Sequence, residues 1–112
     1  MGIKNIEIIQ TLNALHELST AELPVRLAYA IKKNHRKLIA EYADYEEQLN
    51  AMGEKYNGDK QSVEYGKELR ELLDIEVDID FYKVPESIFE SGDFNITTQQ
   101  LSNLDFMIEL IE

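Results

Sequence analysis

The stretch Asp74-Ile75-Glu76-Val77-Asp78-Ile79-Asp80 sets carboxylates at alternate positions. In an extended chain, residues two apart point the same way and stand about 6.6 Å from each other. Glu76, Asp78 and Asp80 would then form a row of negative charge over an apolar underside of Ile75, Val77, Ile79 and Phe81. The spacing is close to that of phosphates along one nucleic-acid strand. Such a row could imitate a phosphate backbone and occupy a basic groove of another protein. It suits a divalent cation poorly, because alternate strand residues splay too far to share one ion without help. The plain alternative is a strand kept soluble by its charges. Together with Glu86, Glu90 and Asp93, the residues Asp74, Glu76, Asp78 and Asp80 are the partner-binding candidates.

Other reactive side chains are sparse. The two histidines, His16 and His35, have no carboxylate at metal-ligand spacing such as HExxH. Each is expected to be a partly buried or surface residue, not a ligand or general base. No nucleophile elbow, phosphate loop, dinucleotide fingerprint or calcium loop is present. The expectation is therefore a binding protein, not an enzyme, with no cofactor and no metal. Lys32, Lys33, Arg36 and Lys37 form a basic cluster, with Lys33, Arg36 and Lys37 on one helix face. It reads as a solvated face, able to pair with the acidic third of the chain. As a functional patch it would neutralise only a few phosphates.

The net charge of −11 over 112 residues disfavours direct nucleic-acid binding and favours a partner with a basic surface. Residues 1–70 hold 11 acidic and 10 basic side chains, and residues 71–112 hold 11 acidic side chains against Lys83 alone. The negative field thus belongs to the last third. There are no cysteines, which fits a reducing cytosol, no apolar run long enough for a bilayer, and no signal-peptide layout at MGIKNIEIIQ.

The elements that must carry these residues are mostly helical. Ile8, Leu12, Leu15 and Leu18 predict a helix over 5–18, with Asn5 as its N-cap. Ser19-Thr20-Ala21-Glu22 resembles a capping box. Leu27, Ile31, His35, Leu38, Tyr42, Tyr45, Leu49, Met52 and Tyr56 then step by three and four, and from Ile31 on this is a heptad seam flawed only at His35. A helix over 24–56 would be roughly 50 Å long. It must overhang its domain, be covered by neighbouring helices, or pair with a second protomer. Leu38, Tyr42, Tyr45, Leu49, Met52 and Tyr56 are the seam and dimer candidates. Asn57-Gly58-Asp59 stops the helix, and 61–73 predicts a third, with Val63, Leu69, Leu72 and Leu73 on one side. The alternation over 75–83 predicts a strand ended by Pro85, then a helical turn near 85–90 and a brief strand at 94–96. Thr97 and Gln100 make a capping box for a last helix, with Ile96 and Leu101 as a hydrophobic staple. Leu101, Leu104, Met107 or Ile108, and Ile111 would be its buried face.

The fold class is thus mainly α with a small β element (α+β): one domain, 1–112, in which a long helix packs with two or three shorter ones.

The blocks IKNIEIIQTLNALHELS, ELPVRLAYAIKKNHRKL, YEEQLNAMGEKY and NLDFMIE resemble an uncharacterised family of small phage and prophage proteins, a domain of unknown function. The resemblance rests on structural patterns and transfers no functional residues. It implies a phage origin and the cytoplasm of a bacterial host. With the acidic row, the expected function is a phage-encoded protein-binding module that inhibits or modulates a nucleic-acid-handling or defence protein. The partner would be a bacterial or phage protein with a basic surface. The alternative is a phage structural or assembly protein, dimeric through the long helix. Neither reading involves a membrane.

Overall fold

The computed structural model describes residues 2–18, 22–89 and 96–109. The expected capping box at 19–22 and the acidic residues Glu90 and Asp93 fall wholly or partly outside them, as do 94–95 and Ile111.

The chain opens with β1 (Gly2–Lys4) and passes directly into α1 (Asn5–Glu17). Lys4, not Asn5, is the N-cap, and its N–H donates to the Glu7 carboxylate at 3.0 Å. Asn5 sits inside the first turn and is buried.

The long helix α2 (Val25–Lys55) follows, with Pro24 as its N-cap and not within its first turn. At 1.5 Å per residue it sets the long dimension of a molecule 53 × 28 × 21 Å in extent. Its end is a Schellman motif. Asn57 takes the left-handed conformation, the Gly58 N–H reaches the Gly53 carbonyl at 2.8 Å, and the Asn57 N–H reaches Glu54 at 3.1 Å. A short turn leads to α3 (Val63–Asp74), capped by the Ser62 hydroxyl, which accepts from the Tyr65 N–H.

The neighbours cover the seam of α2 within the chain. One apolar cluster joins Ile8 and Leu15 of α1 to Leu27, Ala30 and Leu38, closed by Ile79, Phe81, Val84, Leu104 and Met107. A second joins Tyr45 and Met52 to Tyr65 and Leu72 of α3, with Tyr42, Leu49 and Tyr56 against it. The seam passes through Asn34, which is fully buried, while His35 is exposed. The step from Ile31 to Asn34 to Leu38 keeps the three-and-four spacing, so the apparent flaw was one of assignment. On α3, Tyr65 replaces Val63 as the buried residue, and Val63 is 79% exposed.

The β element is smaller than the alternation predicts. Only β2 (Glu76–Asp78) forms a ladder, antiparallel to β1 in the register Gly2↔Asp78, Ile3↔Val77, Lys4↔Glu76. Ile75, expected on the apolar underside, caps α3 and is exposed. Residues 79–83 are not paired as strand. Pro85 does not end the strand but belongs to β3 (Val84–Pro85), which pairs in parallel with β4 (Ile108–Glu109). A 3-10 turn spans Glu86–Phe89.

The last helix, α4 (Thr98–Asn103), is short. Its predicted capping box is present: the Gln100 N–H donates to the Thr97 hydroxyl, and the Thr97 N–H donates to the Gln100 side chain. Leu101 is exposed, not buried. Leu104 and Met107 reach the core from the α4 C-cap and a 3-10 turn (Asp105–Met107), because the helix ends before them.

Candidate interaction surface

The segment 76–82 keeps a two-residue period of exposure beyond the end of β2. Glu76, Asp78, Asp80 and Tyr82 are exposed, while Ile79 and Phe81 are buried and Val77 is half-buried. An extended backbone produces this alternation whether or not a strand pairs beside it. The underside is well packed: Phe81 meets the Phe106 ring edge-on at 4.8 Å between centroids.

Main-chain bonds hold the segment along its length. At its start the Asn5 N–H donates to the Ile75 carbonyl at 3.1 Å, and the Asn5 amide donates to Leu72 at 2.9 Å. In the middle β1 pairs with β2, and Lys37 donates to the Asp80 carbonyl. At its end the Asn34 amide donates to the Tyr82 carbonyl at 2.9 Å and accepts from the Tyr82 N–H at 2.7 Å. Carboxylates on such a segment are held in place by their backbone while their side chains face water.

The structure therefore brings Glu76, Asp78 and Asp80 into one exposed row and sets Asp74 at its head, on the last residue of α3. Asp74 lies 3.7 Å from the Lys4 ammonium, both well exposed. Glu76 folds over Gly2, where a Cβ would collide with its carboxylate. Glu76, Asp78 and Asp80 have no ion-pair partner among the described residues. Glu86 is exposed but opens the 3-10 turn beyond β3, outside the row. Of the seam candidates, Leu38, Tyr45 and Met52 are buried and Tyr42, Leu49 and Tyr56 half-buried, all against other parts of the chain. Burial pushes the Tyr45 phenol above its usual range, aided by the neighbouring Tyr42 and Tyr65.

The basic cluster meets the acidic segment through the bond from Lys37 to the Asp80 main-chain carbonyl. Lys33 instead lies over the Tyr29 ring, 5.6 Å from its centroid. His16 and His35 are both exposed, and both line a groove floored by Leu15, Leu18, Leu23 and Ile31. Among the described residues no three His, Asp or Glu side chains converge as a metal site would need.

One surface is not marked by any sequence pattern above. Tyr29 and Tyr82 meet edge-on at 5.7 Å and are 51% and 43% exposed. With Val25, Arg26, Lys83 and Val84 they line a groove at the N-terminal end of α2. The available signal was Tyr82 on the polar side of the acidic alternation, where an exposed aromatic has no packing reason. Nothing local links it to Tyr29.

Among the described residues, no helix is long and apolar enough to cross a membrane. Comparison of the chain with family models, with curated proteins and with solved structures gives no match.

Proposed function

We propose that this chain is a protein-binding module that presents the Glu76/Asp78/Asp80 row, headed by Asp74, to a basic surface of another protein. One observation carries the reading: three carboxylates at alternate positions are exposed, with no ion-pair partner among the described residues, on a segment whose other side is largely buried. A partner that fits the row gains charge–charge contacts without first ordering the backbone, and avoiding that ordering cost favours affinity. The concentration of charge after residue 70 adds long-range attraction. No catalytic step belongs to this role.

The resemblance to small phage proteins extends the proposal to a phage-encoded modulator acting in the cytoplasm of a bacterial host, on a nucleic-acid-handling or defence protein. The competing role, an assembly protein paired through the long helix, would require α1 and α3 to leave the seam they now cover.

The test is affinity capture from a bacterial lysate with the wild-type chain and with the triple variant Glu76→Lys, Asp78→Lys, Asp80→Lys. A basic protein captured by the wild type, lost with the variant and lost at high salt, is the expected result. Equal capture by both chains overturns the acidic-row mechanism.

A further inference from the structure

The exposed side of the 76–82 segment is bipolar. Its first part carries Glu76 and Asp78, and its last residue is Tyr82, which meets Tyr29 edge-on beside Arg26 and Lys33, while the Lys83 ammonium donates to the Phe106 carbonyl. Among the described residues no ion pair joins the acidic end to the cationic end of its own molecule. Each end is left with what the other lacks. The acidic end has carboxylates with no ion-pair partner among the described residues; the other has exposed aromatic rings and the exposed Arg26 in a protein of net charge −11. Tyrosine and arginine are the residue types that anchor interfaces.

We infer that this strip is a self-complementary contact, and that its occupant is a second copy of the chain lying antiparallel on it. A two-fold axis near Asp80 and Lys37 sets Glu76 and Asp78 of each copy over Tyr82 and Arg26 of the other. Both contacts form at once, the contact closes on itself, and growth stops at the dimer. The seam of α2 takes no part, since α1 and α3 already occupy it. The net charge of each copy opposes the encounter at low salt. At about 0.15 M ionic strength the Debye length is about 8 Å, so distant repulsion is screened while the short contacts remain. The dimer is accordingly weak, and it covers the row that the proposed foreign partner would use. The inference goes beyond that proposal, because it requires this chain alone.

Sedimentation equilibrium of the full chain, from micromolar to millimolar at about 0.15 M ionic strength, tests it without any partner. The expected result is a monomer–dimer equilibrium. Asp78→Lys and Arg26→Glu, both at exposed positions, should each weaken it about tenfold, because symmetry counts every substitution twice. The double variant Asp78→Lys/Arg26→Glu exchanges the two signs and should recover most of the loss, which a folding defect would not. A monomer at every concentration overturns the inference. So does a dimer indifferent to all three variants, and so does a double variant no better than the singles. Capture of a basic lysate protein by a chain that stays monomeric would leave the acidic-row proposal standing while this inference falls.

Discussion

The Asn34 side chain pairs with the main chain of Tyr82 as a neighbouring strand would, donating to its carbonyl at 2.9 Å and accepting from its N–H at 2.7 Å. Asn34 is fully buried in the middle of α2, and its amide also lies 3.5 Å from the Met107 sulfur. An asparagine is a poor choice for a helix interior on propensity alone. Here its amide satisfies both backbone groups of Tyr82, a residue not paired as strand. Asn34→Ala should therefore cost about 2 kcal/mol, the penalty for leaving buried polar groups unpaired. Asn34→Asp keeps an acceptor for the N–H but sets an oxygen against the Tyr82 carbonyl, and should cost at least as much. Urea denaturation reads both, and amide exchange at Tyr82 should accelerate in both. A loss under about 0.5 kcal/mol would mean that water replaces the amide without penalty.

Asn5 does the corresponding work at the other end. Its amide satisfies the Leu72 carbonyl in the last turn of α3, and its N–H takes the Ile75 carbonyl just after it. Substituting the side chain leaves the second bond and removes the first. Asn5→Ala should lower stability by about 1–2 kcal/mol. Its local signature should be faster exchange in the last turn of α3, with the amides near Tyr82 unaffected. If the loss spreads equally to both ends, the segment is anchored as one unit and not at two independent points.

These anchors mark where sequence reading ran out. The helices were legible because their signals are local: the three-and-four apolar spacing, Asn57-Gly58 as a terminator, Thr97 with Gln100 as a cap. The acidic row was legible too, because alternation survives wherever the backbone is extended. Strand length was not, since it depends on a neighbour. Beyond Asp78 the neighbour is a helix bearing Asn34, and no periodicity announces that. The same blindness moved the seam to His35, because a polar amide does not register as a core residue until its partner is known. Asn5 has the sequence position of a cap on its own helix, but its amide serves α3. The Tyr29–Tyr82 groove joins residues from distant parts of the chain, and only the fold places them together.

Two glycines near the end of α2 should respond in opposite directions. Gly53 lies in the helix, and a Cβ added there meets nothing within 4 Å. Gly53→Ala should stabilise the protein by about 1 kcal/mol through the lower conformational freedom of the unfolded chain. Gly58 follows the cap with φ of 78° and an equally open surrounding. Gly58→Ala should cost about 1 kcal/mol, because an L side chain is strained there whatever the space. Thermal denaturation of the two single variants separates the effects. Shifts of the same sign would show that φ at Gly58 relaxes on substitution.

The link between α2 and α3 should depend on pH in a defined way. Lys55 donates to the Glu68 carboxylate at 2.7 Å, and that bond holds Glu68 below its usual value, with a further contribution from Tyr56. The same bond raises Lys55 above its usual value. A depressed carboxyl gives stability that is present above its unfolded value and lost as pH falls through the folded one. A raised ammonium gives stability that is present below its unfolded value and lost as pH rises through the folded one. The pair is thus fully formed at neutral pH and fails on both sides. The groups are solvent-accessible, so the effect is small and salt should weaken it. Urea midpoints of the wild type and Glu68→Gln should differ at neutral pH, then converge both in acid, as Glu68 takes up a proton, and in strong alkali, as Lys55 loses one. A difference that persists unchanged into acid would show that Glu68 acts through packing and not through its charge.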